Sequence, residues 1–291
     1  MKRVTLTPRT LLLAAAACVA AFLALLALAY GGGSARWLDT TALRGFLGLQ
    51  GGALDPVAGL GDAPPVGLLA CALAAFALVR GRPRSAVLVI VLLALTSVSS
   101  QLLKALFAYP RPEGDTGLSN VAPEAFPSGH ATAAMSLAIA LVIVVPARLR
   151  TLAAAVGAGF ALSVSFSVVA LGWHFPSDVA GGFLLATFWA LVLLAGLRLA
   201  DARFPQRSGR GRLAGAAQAA ADRAAALGLG VAAGAGGLLL ALAAVATVAL
   251  RGADALAYVH DNTAMVAVAG ALMLAALGLL AALAVAATRR G

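Results

Sequence analysis

Eight apolar runs, separated by polar or glycine-rich breaks, follow one another from near the first residue to near the last. They are Leu11–Ala29, Val66–Val79, Ala86–Leu103, Ala131–Val145, Leu152–Gly172, Val179–Leu197, Leu227–Leu250 and Ala264–Ala287. A helix rises about 1.5 Å per residue, so about twenty residues cross a bilayer core of ~30 Å. Most of these runs reach that length, and the pattern predicts an all-α, polytopic membrane helix bundle. Val66–Val79 is short and needs its flanks to cross. Ala27-Leu28-Ala29 resembles a signal-peptidase site, but the run before it exceeds the usual signal core of about 7–15 residues, so it reads as a retained first helix. Between the first two runs, Gly31–Pro65 is polar and rich in glycine. Trp37, Leu38, Leu43, Phe46 and Leu47 fall near helical spacing there, which leaves open an interfacial helix or a loop with scattered apolar residues.

Composition agrees with this pattern. Of 291 residues 62% are hydrophobic and 11% charged, against about 25% charged in soluble domains. Mean hydropathy is +0.98. The net charge of +10 does not point to nucleic acid, because the basic residues flank apolar runs and aromatic residues do not interleave with them. With the N-terminus inside and alternating spans, sixteen Lys and Arg residues fall on the inner side and five on the outer, namely Arg36, Arg44, Lys104, Arg111 and Arg251. That asymmetry predicts a multi-pass protein of the cytoplasmic membrane with both termini in the cytoplasm. Cys18 and Cys71 sit inside apolar runs and behave as small hydrophobes.

Three polar pieces carry chemistry, and this topology places all three outside. The first is Lys104-Ala-Leu-Phe-Ala-Tyr-Pro-Arg111-Pro112, with two of the five outer cations. By itself it also reads as two snorkelling side chains. The second is Pro127-Ser128-Gly129-His130, a helix opening with free N–H groups, a hydroxyl and a positive dipole end beside an imidazole. The third is His174-Phe-Pro-Ser-Asp178, in which the carboxylate is four residues from the imidazole across a helix start. It either caps the helix or fixes the imidazole tautomer and leaves the other nitrogen nucleophilic. His260 and Asp261, in the last outer loop, read as a solvated turn.

Together the pieces resemble the type-2 phosphatidic acid phosphatase superfamily, membrane lipid phosphate phosphatases related to the vanadium haloperoxidases. Its pattern is K-x6-R-P, P-S-G-H and S-R-x5-H-x3-D, matched here by Lys104…Arg111-Pro112, Pro127–His130 and Ser167-Val168…His174…Asp178. The likeness runs over Leu11–Ala200. It implies a six-helix phosphatase core over residues 1–200; the basic cytoplasmic linker over 201–225 and the two-span extension over 226–291, read from the apolar runs and charges, fall outside it. It further implies that His174 attacks phosphorus, that Asp178 orients it, and that His130 protonates the leaving oxygen and then activates water. Lys104, Arg111, Ser128 and Gly129 would hold phosphate oxygens. No metal ligand cluster and no cofactor are expected. The partners are the bilayer and a lipid phosphate substrate, with a polyprenyl pyrophosphate first and phosphatidate or phosphatidylglycerophosphate next. One position departs: the family arginine that clamps phosphate is Val168 here, which removes a bidentate, charge-assisted contact. Two other classes stay open, a non-catalytic lipid-phosphate binder because of Val168 and a transporter because eight spans with a polar third helix could line a path. Against the transporter, the ionisable residues gather at one face instead of the midplane.

Overall fold

The computed structural model describes residues 7–31, 33–49, 51–108, 121–204 and 256–287, together with 219, 220, 223 and 254. The regular elements among them are helices: α1 (Pro8–Tyr30), α2 (Ser34–Leu47), α3 (Leu54–Gly59), α4 (Ala63–Val79), α5 (Pro83–Leu106), α6 (Gly129–Val144), α7 (Arg150–Ala170), α8 (Pro176–Arg203) and α9 (Thr263–Ala286). Five of them, α1, α5, α7, α8 and α9, are long and apolar enough to cross a membrane, and α4 and α6 are shorter apolar helices. Seven of the eight apolar runs thus become helices, each with ends within a few residues of the run. Leu227–Leu250 lies outside the described residues. The stretch after the first run is helical too, and α2 is followed by the extra short helix α3, which the spacing of apolar residues did not announce.

The helix starts follow local chemistry. Thr7 accepts from the Thr10 N–H at 3.2 Å and opens α1, Ser128 accepts from the Ala131 N–H at 3.3 Å and opens α6, and Pro176 fills the first turn of α8. Helix α6 is apolar on all sides and sits in the centre of the bundle, with α7, α8, α5 and α4 packed around it. Small residues let these helices approach closely. A β-carbon at Gly157 would lie 2.9 Å from Ala138 Cβ, so glycine sets the α6–α7 spacing. Helix α1 packs along α8, and α9 packs against α7 and α2 and shares the main core with α6 and α8.

The two ends of α6 differ in kind. At its C-terminus Arg80 donates to the Val144 carbonyl at 2.6 Å, and Arg82 donates to the Ile143 and Val144 carbonyls at 3.1 and 3.0 Å. Arg84 pairs with Asp201 at 2.5 Å at the same end. These cations, read from sequence as topology markers, also cap a helix C-terminus. The opposite end of α6 carries His130.

Candidate active site

The site is built where the N-terminus of α6, the N-terminus of α8 and the C-terminal turn of α5 meet. Phe126 is fully buried, packed in tilted and edge-to-face contacts with Phe22, Tyr30 and Phe107, and it anchors the segment that leads into α6. Ser128 is buried and caps α6, while its backbone N–H donates to the Asp178 carbonyl. Its own carbonyl accepts from the Thr132 hydroxyl at 2.7 Å.

His130 and His174 come together, with ring centroids 6.4 Å apart and planes at 61°. Their surroundings differ. His174 is 6% exposed, and its Nδ1 lies 3.5 Å from Asp178 Oδ2. That Nδ1 has no hydrogen-bond partner among the described residues, and Asp178 Oδ2 instead accepts from the Phe175 N–H at 2.9 Å. Of the two sequence readings of the pair, the helix cap is the hydrogen bond present, and the carboxylate also lies at ion-pair distance from the imidazole. His130 is less enclosed, and its Nε2 lies 3.1 Å from Asp62 Oδ1.

A cavity of about 400 Å³ opens beside His130, and Lys104, Gly129 and Asp62 are among its lining residues. Lys104 reaches Gly129 from α5: a β-carbon at Gly129 would lie 3.8 Å from its Nζ. Thr96, Ser97, Ser100 and Gln101, the polar patch of the third apolar run, form another part of the wall. Ser100 Oγ is buried with no hydrogen-bond partner among the described residues. Ser99 instead turns to α8, where it accepts from Trp189 Nε1 at 2.9 Å. His174, Ser128 and Asp178 do not line this cavity. Ser128 sits behind Gly129 with its oxygen engaged in the cap, and Asp178 has no exposed surface.

Comparison with protein-family models matches residues 85–200 to the PAP2 superfamily. This segment is a PAP2 domain. No curated protein and no solved structure matches the chain. The PAP2 domain runs from the start of α5 to near the end of α8, so it contains Lys104, Ser128, Gly129, His130, His174 and Asp178. The match is narrower than the likeness read from the motifs, which began at Leu11. Membership supports phosphatase-type hydrolysis of a phosphate ester. Arg111 lies outside the described residues. Val168, at the position of the family arginine, is fully buried on α7.

Two site residues outside the PAP2 domain were missed by the sequence reading. Asp62 precedes α4 and meets His130. Asp39 of α2 accepts from the Ser177 N–H at 3.0 Å and the Ser177 hydroxyl at 2.6 Å, which ties α2 to the first turn of α8 beside Asp178. Neither has a local motif. His260 and Asp261 are exposed.

Proposed function

We propose that the protein is a metal-independent phosphatase of a lipid phosphate or pyrophosphate, acting at the outer membrane face. The approach of His130 and His174 beside a cavity that also holds Lys104 carries this reading. Because Nδ1 of His174 faces Asp178, Nε2 is the nitrogen that attacks phosphorus. The P–O bond to the leaving group breaks as the N–P bond forms, and His130 gives its proton to the leaving oxygen. Water then attacks the phosphohistidine, His130 takes its proton, and phosphate departs. Lys104, Arg111 and the Gly129 N–H hold the phosphate oxygens, with the buried Ser128 hydroxyl supporting them by capping α6 behind Gly129, because phosphoryl transfer is mostly positioning and charge stabilisation. Two histidines with opposite protonation duties need unlike surroundings, and one buried against a carboxylate beside one at a cavity wall meets that need.

A substrate anchored in the bilayer fits a site at the end of a membrane bundle. A polyprenyl pyrophosphate is the first candidate, with phosphatidate and phosphatidylglycerophosphate after it. A second reading, binding of lipid phosphate without turnover, rests on Val168, whose apolar, buried side chain stands where the family has a clamp. Phosphate release from a panel of these lipids by the purified protein, with His174→Ala as control, separates the two. Release by the wild type alone supports the phosphatase; equal release by both proteins removes it.

A further inference from the structure

We propose that Asp62 is the positioning residue of His130, holding its imidazole through Nε2 and stabilising its protonated form. The proposal rests on the acid–base role given to His130 above, and it adds a carboxylate from outside the PAP2 domain.

The local sequence Asp62-Ala63-Pro64-Pro65 frees this carboxylate for the task. Asp62 is the N-cap of α4, where an aspartate normally accepts from the N–H groups two or three residues on. Those residues are Pro64 and Pro65, which have no N–H. Asp62 accordingly makes no side-chain cap hydrogen bond. Its Oδ1 lies instead 3.1 Å from His130 Nε2, on the wall of the cavity that holds Lys104.

The preceding residue makes the approach feasible. A β-carbon at Gly61 would lie 2.8 Å from His130 Cδ2, 3.1 Å from His130 Cβ and 3.0 Å from Val164 Cγ1. Only glycine lets this turn close on both the imidazole and α7. Among the described residues, the charged or titratable groups that act on His130 are Asp62 from the α4 turn, Lys104 from α5 and His174 from the turn before α8. Burial works against the imidazolium, and Asp62, the carboxylate in contact, counters burial with an opposite charge at hydrogen-bond distance. With the Nε2 proton held by Asp62, the Nδ1 proton is the one that passes to the leaving oxygen and is regained from water.

The test uses the full-length protein with Asp62→Asn, which keeps an acceptor oxygen but loses the charge, and Asp62→Ala, which loses both. In Asp62→Ala kcat should fall about tenfold with KM within about twofold, a part of the roughly 10²–10⁴-fold that a positioned acid–base group contributes. In both variants the alkaline limb of the rate profile should move to lower pH by about one unit. Thermal stability should fall by no more than the loss of the single His130 contact, since no cap bond is lost. An unchanged pH profile and kcat, beside an inactive His174→Ala, would overturn the proposal. Turnover that survives His174→Ala would overturn the underlying reading instead. NMR titration of the imidazoles distinguishes the two failures. The chain has three histidines, so His130→Gln assigns the signal. That signal should titrate at lower pH in Asp62→Asn, and an identical titration would show that the carboxylate does not act on His130.

Discussion

The Ser128 N–H donates to the Asp178 carbonyl at 2.9 Å, so the turn that opens α6 and the turn that opens α8 share one backbone hydrogen bond. The two histidine motifs, some forty positions apart in sequence, are thereby held in register. Close packing reinforces the bond. A β-carbon at Gly182 would lie 2.8 Å from Thr132 Oγ1 and 2.9 Å from the Ser128 carbonyl oxygen, both fixed in the first turn of α6.

Gly182→Ala should therefore push α8 away from α6. Overpacking of this kind costs roughly 1–3 kcal/mol. Thermal unfolding should show a lower Tm, and phosphate release should fall as the histidines separate. A wild-type Tm would mean that the α6–α8 contact is slack.

Asp39 acts on the first turn of the same helix. Its two contacts to Ser177 place a carboxylate at the positive end of α8. Asp39→Ala should cost about 1–2 kcal/mol, in the range of a lost cap, and lower turnover. Asp39→Asn keeps an acceptor and should lose less. Stability curves and initial rates of the two variants decide this, and equal losses would assign the effect to charge alone.

Val168→Arg restores the family clamp at a position with no exposed surface. Turnover should rise, while burial of a guanidinium among apolar side chains lowers the Tm. Rates and melting curves on the same preparation check both parts. An unchanged rate that is already high would show that another cation holds the phosphate.

Helix α9 and the helical residues before it press on α2 at Gly45. The Tyr258 hydroxyl donates to the Gly45 carbonyl, and a β-carbon at Gly45 would lie 2.7 Å from Met265 Cβ. Gly45→Val should loosen α2, seen as faster amide exchange over residues 34–47, and should reduce turnover through Asp39. Exchange at the wild-type rate would show that α2 is held without this contact.

Much of this arrangement was legible in the chain. Apolar runs locate helices well because the bilayer and the core both reward them, and Ser128 announced its cap by residue type alone. The motifs also named the residues that make two separate approaches, His130 to His174 and Lys104 to the cavity wall beside His130. Asp39 and Asp62 were not legible, since their partners lie far away in sequence and meet them only through packing. Asp62 sits in an Asp-Ala-Pro-Pro string that reads as an ordinary helix start, and only the missing N–H groups of the two prolines hint at another use. The hydroxyl patch on α5 divides between the cavity and Trp189 by a rotation about the helix that needs the neighbouring helices to be known.

The hold of α9 on α2 bears on how the protein is made. Residues 34–47 leave the ribosome early, yet Tyr258 and Met265, which seat them, arrive more than two hundred residues later. A chain stopped after α8 would own every PAP2 residue of the site and still lack the two side chains that seat α2. That seat is completed only when the last described helix has been made.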